Sequence, residues 1–358
     1  MMEIIGKDFF CNLSEVHLNN LEPEDMEGQK EAFQAAALSV VGLLQQEFTD
    51  PKMQYSRELD PIIGTGFTGL FDFFVKAMGL DWAKWMMEGR PMNDENRGML
   101  YADLEARYLS IWYRWVRETV LEYCQRHGLK APNRFTTVKP SGTLSLLTGA
   151  SPGFHAHKSA YMIRRITFKK WDSLALAYYD QGYNLVPSQA DTDSDGNLLD
   201  DPFDDSCSEW LVEMPIKAVW ADMEGADELD LSQIPATAQM GLWSQVQTHY
   251  TGHNTSATIE VRESEIEDLA EYIYQDIQDN YSYTSVAILS RFDDFQSFPR
   301  LPFEPISKSQ YENLVDQISK NAKFETFDQA LAYHDQSYFD ESQISGPAGC
   351  DSDKCFLS

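Results

Sequence analysis

Glu3 and Cys11 lie close together at the start of this 358-residue chain, in the stretch Glu3-Ile4-Ile5-Gly6-Lys7-Asp8-Phe9-Phe10-Cys11-Asn12-Leu13. A carboxylate can take a proton as a general base, and a thiol can react as a nucleophile or reductant. Such residues at the very start of a chain imply that it begins inside an active site whose remainder belongs to another polypeptide. Two further cysteines, Cys350 and Cys355, sit in a tail of small and polar residues running from Ile344 to Ser358. Thiols on a mobile tail can exchange with other disulfides. The alternatives are half of a zinc site, which needs two more ligands, or incidental thiols.

The third candidate is Pro140-Ser141-Gly142-Thr143-Leu144-Ser145, which follows the extended run Thr136-Thr137-Val138-Lys139. Small residues leave backbone N–H groups accessible, hydroxyls add donors, and a helix start favours negative charge, so this turn reads as a phosphate site. An ordinary capped turn is the alternative. The turn lies in a basic island. Between Arg126 and Lys170 there is no Asp or Glu, while Arg126, Lys130, Arg134, Lys139, Lys158, Arg164, Arg165, Lys169 and Lys170 fall there. The island suggests a local anion site, or a basic patch docked on an acidic surface.

The elements that must position these residues are mixed. Asn12 to Asn20 reads as extended, and Pro23-Glu24-Asp25 opens a helix reaching about Phe48. Gly64-Thr65-Gly66-Phe67-Thr68-Gly69 reads as a closely packed glycine-rich turn before a helix, not a nucleotide loop. Arg97 to His127 is the longest expected helix, with a core stripe at Leu100, Leu104, Tyr108, Ile111, Trp115 and Tyr123, and Gly128 ends it. Asp191 to Gly196 begins like a calcium loop, but Pro202 occupies the position of the bidentate acid, so an acidic hairpin is expected. Glu209–Pro215, Thr255–Val261 and Ser285–Ser290 read as strands. Ser264 to Glu267 reads as a capping box opening a helix between the last two. That β-α-β order gives an α/β class with a parallel sheet unit.

Composition bounds the rest. Hydrophobic residues make up 43%, enough for a packed core. The net charge of −29 disfavours nucleic acid and anionic lipid as partners. No apolar run is long enough for a membrane span, and the first residues lack a signal-peptide pattern, so the cytoplasm is the expected location. Five cysteines are too few and too scattered for a secreted disulfide scaffold.

Three separated motifs now converge. E-I-I-G-x-x-F-F-C-N-L at the start, V-K-P-S-G-T-x-S-L-L-T-G-A-S-P-G-F-H in the centre and C-x4-C at the end resemble the C-terminal half of monomeric-type class II (adenosylcobalamin-dependent) ribonucleotide reductases. The resemblance implies about half of a ten-stranded α/β barrel with helices outside. It implies a catalytic part over residues 1–340 and a redox-active tail over 341–358. In that family the cobalt–carbon bond of adenosylcobalamin breaks homolytically and a cysteine becomes a thiyl radical. The radical removes the 3′ hydrogen of a ribonucleotide, the 2′ hydroxyl leaves as water, and two cysteines supply the electrons. Carried over, Glu3 is the general base at the 3′ hydroxyl and Cys11 is one of the two reducing cysteines. Pro140, Ser141, Gly142, Thr143, Leu144 and Ser145 hold the substrate phosphates, and Cys350 and Cys355 are the shuttle re-reduced by thioredoxin. Substrates of the monomeric type are ribonucleoside triphosphates.

The departures carry their own expectations. The family reads Asn-x-Cys-x-Glu, yet Met1 stands where the radical cysteine should be. The partner of Cys11 and the allosteric nucleotide site belong to the family's N-terminal half. The chain alone is therefore expected to be inactive and to need that half as its partner, as a natural split, an interrupted gene or a start at the wrong Met. Two rivals differ in class. A stand-alone thiol–disulfide oxidoreductase would need only Cys350 and Cys355, and a non-catalytic regulatory fragment would need neither Glu3 nor Cys11.

Overall fold

The structure, a computed structural model, describes residues 9, 11–93, 97–279, 283–291, 300–335, 350–351 and 354–355. Strand β1 (Cys11–His17) leads to helix α1 (Met26–Gly42), where the Asp25 carboxylate accepts from the Gly28 N–H at the N-cap. Helix α2 (Pro51–Leu59) starts on Asp50 with proline in its first turn, where a missing N–H is harmless. Strand β2 (Ile62–Thr68) runs parallel to β1, from Cys11 opposite Ile62 to His17 opposite Thr68. Helices α3 (Leu70–Met78), α4 (Leu80–Met87) and α5 (Gly98–His127) follow, and Gly128 ends α5 in the left-handed conformation.

Residues 135–138 then lie along β2. Thr65 donates to the Phe135 carbonyl, and Thr137 donates to that of Thr65. The chain next forms strand β3 (Tyr161–Lys169), helix α6 (Ser173–Asp180) and strands β4 (Asn184–Pro187) and β5 (Glu209–Lys217). Helix α7 (Ala236–His249) is followed by a parallel bridge of Thr255 to Val138, then strand β6 (Thr258–Val261). Helix α8 (Ile266–Asp279) connects to strand β7 (Ala287–Ser290), parallel to β6. Strand β8 (Phe303–Pro305), helices α9 (Lys308–Asn321) and α10 (Phe327–His334), and the two-residue strands β9 (Cys350–Asp351) and β10 (Lys354–Cys355) complete the described elements.

These elements divide into two compact units, Met1–His157 with Leu229–Arg291, and Lys158–Glu228 with Phe292–Ser358. In the first unit, five chain segments are linked by parallel pairing in the order β1, β2, 135–138, 255–261 and β7. Helical segments intervene between successive members, as parallel connections require. Aromatic side chains join the helices to the sheet. The rings of Phe33 and Trp112 stack at 5.2 Å, and those of Phe67 and Tyr250 lie 4.8 Å apart. The second unit is an antiparallel sheet in the order β4-β5-β3-β8, with Trp210, Val212, Leu185 and Ala175 in its core.

Three local expectations need correction. Gly64 to Thr68 is not a turn but a fully buried strand, and only Gly69 takes a positive φ. A β-carbon on Gly64 would stand 2.6 Å from the Thr137 methyl, and one on Gly66 2.6 Å from the Thr137 carbonyl oxygen. The glycines thus admit a neighbouring strand rather than bend the chain. In α5 the helical period holds, but the buried stripe is shifted to Tyr101, Glu105, Leu109, Trp112, Val116, Val120 and Cys124. The shift places an acid in the core. Glu105 is fully buried, pairs bidentately with Arg90 at 2.9 and 2.7 Å, and accepts from the Trp82 indole at 2.8 Å. Finally, the reciprocal cap before α8 joins Arg262 and Glu265. The Glu265 carboxylate accepts from the Arg262 N–H at 2.8 Å, so the box begins two residues before Ser264.

Candidate active site

Side chains alternate along a strand, so Cys11, Leu13, Glu15 and His17 share one face of β1. Ser14, on the other face, donates to the Ala36 carbonyl of α1. Cys11 therefore belongs to the face turned away from α1. The register carries that face to Gly64, Gly66 and Thr68 of β2, and on to Thr137 and Lys139. Asn254 continues it: its carbonyl accepts from the Thr137 hydroxyl at 3.1 Å, and its side-chain amide donates to the Ser285 hydroxyl at 3.1 Å. Most of these groups are polar.

Cys11 opens β1, and partial desolvation pushes its thiol above the usual value. Two pleats along the same face, Glu15 has a side chain only 2% exposed, and its carboxylate lies 3.1 Å from the Lys139 ammonium. Lys139 comes from the far side of β2, two strands away. In the register it stands level with Thr68, while Glu15 stands level with Gly66. The lysine stem therefore reaches back over a position with no side chain.

Pro140 to Ser145 follows Lys139. Gly142, Thr143 and Leu144 are exposed, whereas Ser141 and Ser145 are buried. Ser141 takes a φ of 56°, and its buried hydroxyl has no hydrogen-bond partner among the described residues. The helix expected after this turn is a single 3-10 turn, Leu144–Leu147, so it offers little of a helix dipole. The segment that follows is fastened to the ends of β1 and β2. Thr148 bonds His17 Nδ1 at 2.7 Å, and its carbonyl accepts from the Asn19 amide. The Thr68 hydroxyl donates to the Ser151 carbonyl and accepts from the Gly153 N–H. The fully buried Asp72 accepts from the Ser151 N–H at 2.7 Å and lies 3.2 Å from His157 Nε2. Thr258 donates its N–H to His155 Nε2, which leaves Nδ1 to donate to the Pro152 carbonyl.

Cys11 and the 140–145 turn thus belong to one unit and one face, but to its two ends. Strand β1 alone spans about 20 Å. Glu3 lies outside the described residues. In the tail only the backbone of β9 and β10 is described, and their antiparallel pairing sets Cys355 opposite Cys350. The basic island is divided between the two units. Its members from Lys158 onward belong to the second unit, where Arg165 pairs with Glu213 and Glu304 and Arg164 lies over the Phe303 ring. Lys130 caps the carbonyls at the end of α2. The expected acidic hairpin is present, closed by a bridge between Thr192 and Leu198. Burial opposes ionisation of Asp191, yet hydrogen bonds from Ser208, Glu209 and Cys207 outweigh it and lower its pKa. Among the described residues, no group of three or more acids, histidines and cysteines could hold a metal ion, and no helix is long and apolar enough to cross a membrane.

Sequence reasoning missed Glu15 as a member of the site. The available signal was its spacing of four from Cys11, which on a strand means the same face. Asp72 and His157 gave no such signal, because only the tertiary fold brings them together.

No protein-family model matches the chain. Among curated proteins, an adenosylcobalamin-dependent ribonucleoside-triphosphate reductase of Lactobacillus gasseri is 30% identical over 211 residues, covering 59% of this chain and 25% of that protein. The proteins of the same name from Lactobacillus helveticus and Euglena gracilis are 26% and 27% identical, covering 87% and 65% of this chain and 39% and 27% of theirs. The chain thus spans well under half the length of these curated relatives. A crystal structure of a B-12 dependent (class II) ribonucleotide reductase matches with a TM-score of 0.68 and 22% identity, over 92% of this chain and 42% of that one. In sequence and in fold, the chain is related to the B12-dependent, class II ribonucleotide reductases over a portion of their length.

Proposed function

We propose that this chain is the C-terminal portion of an adenosylcobalamin-dependent ribonucleotide reductase that converts ribonucleoside triphosphates to 2′-deoxyribonucleotides. The observation that carries the reading is the polar face of the parallel segments. It holds Cys11, the Glu15–Lys139 pair and the turn with the unpartnered Ser141 hydroxyl, in a chain related to that family. The five parallel segments would be half of a ten-stranded barrel, completed by the N-terminal half of the reductase.

The groups that fit a ligand here are Lys139 and the hydroxyls of the 140–145 turn, donors for phosphate oxygens rather than for a corrin ring. The residues of this chain therefore serve the substrate. When bound, adenosylcobalamin supplies the homolytic bond cleavage that starts the radical chemistry. Ser141 and Thr143 hold the phosphates. Glu3 takes the proton of the 3′ hydroxyl, and Cys11 with a second thiol becomes a disulfide as the 2′ hydroxyl leaves as water. Cys350 and Cys355 then exchange with that disulfide and are themselves reduced by thioredoxin. Opposed residues of an antiparallel pair have Cα atoms about 4.5–5.5 Å apart, a separation a disulfide can bridge, and this supports the pairing of the two tail cysteines.

The test is reconstitution with the N-terminal half of a class II reductase. Cobalamin-dependent deoxyribonucleotide formation is expected in the mixture and absent from either part. In the active mixture, Ser141→Ala and Thr143→Val should each raise KM about tenfold, the loss expected for a hydrogen bond to a charged group. Thiol–disulfide exchange by this chain alone, with no reductase activity in the mixture, would replace this reading with that of a stand-alone oxidoreductase.

A further inference from the structure

Glu15 is an unusual residue to bury. Moving a carboxylate out of water costs several kcal/mol unless it is paired and hydrogen-bonded. Its side chain is 2% exposed, and both carboxylate oxygens are buried without a hydrogen-bond donor in good geometry. Its compensation is the Lys139 ammonium at 3.1 Å, on a side chain 18% exposed. Two further buried atoms of the same unit, the Ser141 hydroxyl and the Asn254 side-chain oxygen, have no hydrogen-bond partner among the described residues.

The backbone is shaped to permit this pair. Glu15 and Lys139 sit on segments either side of β2, which lie about 9.5 Å apart by strand spacing. Gly66, the residue opposite Glu15, contributes no side chain to the face between them. The Lys139 backbone is pinned from behind, since Gly153, with a φ of 58°, packs so closely that a β-carbon there would stand 2.7 Å from the Lys139 carbonyl oxygen. An ammonium carries three donors, so its ion pair with Glu15 leaves capacity for an anion on the same face.

We infer that Lys139 is a substrate-phosphate ligand and that Glu15 is its positioning residue, the pair bridging the interval between Cys11 and the 140–145 turn. The ligand class is a polyphosphate ester, and the inference rests on the reductase reading for its identity as a ribonucleotide. Glu15 fixes the ammonium at one point on the face, and Lys139 donates to a phosphate oxygen while keeping its contact with Glu15.

Single removal of the lysine would strand a buried carboxylate and could unfold the chain, so the decisive variant is the double change Lys139→Met with Glu15→Gln. It removes both charges at nearly constant volume. Two measurements are made on the full chain, alone and reconstituted: binding of inorganic tripolyphosphate by calorimetry, and steady-state kinetics with ribonucleoside triphosphate. The double variant should lose tripolyphosphate affinity and raise KM by about tenfold each, with kcat changed less than about threefold. Lys139→Arg should restore most of the affinity. Glu15→Gln alone should weaken both, because the ammonium remains but is no longer fixed. Unchanged tripolyphosphate affinity in a folded double variant overturns the inference, as does a loss confined to kcat. If wild-type chain binds tripolyphosphate through Lys139 but the reconstituted mixture makes no deoxyribonucleotide, the phosphate site stands and the reductase reading falls. If turnover is normal and indifferent to the charge of residue 139, the reverse holds.

Discussion

Cys11 combines a position at the start of a strand with a thiol whose pKa partial desolvation raises. Thiolate is the reacting form, so alkylation of Cys11 by iodoacetamide should be slow at pH 8 and should still be rising beyond pH 9, above the ordinary thiol value of 9.0. Peptide mapping across a pH series checks this; a midpoint at or below pH 8 would show that a nearby cation outweighs desolvation. At this scale, the residue types and spacing of Cys11 and of Pro140 to Ser145 announced chemistry without a fold. Glu15 and Lys139 did not, because their meeting depends on a strand pairing that no local pattern contains. The charge count put Lys139 in a basic island, whereas its own partner is an acid from the far side of β2.

Strand β2 is the element on which the site depends, and its glycines make its neighbours' approach possible. Gly66→Ala should destabilise the chain by roughly 1–3 kcal/mol, because the added carbon meets a backbone carbonyl that cannot step aside. Gly142→Ala meets nothing within 4 Å and should leave the melting temperature nearly unchanged. Paired thermal melts decide it, and equal shifts would refute the steric account. Strand β2 also receives His253, whose Nε2 bonds the Ile63 carbonyl at 2.9 Å. Burial lowers its pKa from 6.5 to about 4, against the smaller opposing effect of that hydrogen bond. The unfolded chain therefore binds a proton at this residue between pH 6.5 and 4 that the native chain refuses. Its contribution to stability is complete above pH 6.5 and is lost as pH falls toward 4. Urea melts at pH 7.5 and 4.5 should show that loss, and His253→Gln should reduce it; an unaltered pH dependence in the variant would remove His253 from the account. Parallel strands of this kind were only partly legible in the sequence. Gly64 to Thr68 looked like a turn because glycine usually marks one, and only the position of Thr137 shows why glycine stands inside a strand.

At the scale of the whole molecule, the β-α-β order was readable and the division into two units was not. The interruption of the first unit between residues 157 and 229, which supplies β3, β4 and β5 of the second, has no compositional boundary to mark it. Among the described residues strand β7 ends the row of parallel segments, and Ile288 and Leu289 are more than half exposed. An apolar, unpaired strand edge is a template for association. The chain by itself should therefore self-associate and bind a hydrophobic dye, and both properties should decline on addition of the N-terminal half of a class II reductase. Light scattering that reports a monomer with low dye binding would contradict this.

The interruption has a further consequence during synthesis. Thr137 and Asn254, which meet across adjacent segments, are 117 positions apart. A ribosome adding about 5–20 residues each second needs roughly 6–23 s to cover that distance. Throughout that interval the segment at 135–138 is an open ladder beside β2, with the polar side of the future site uncovered. Meanwhile β3 and β5, which pair over nine positions across a much shorter loop, can form their antiparallel ladder first. The order of the chain thus predicts that slowing translation between codons 158 and 255 lowers the yield of folded protein, and an unchanged yield would contradict it.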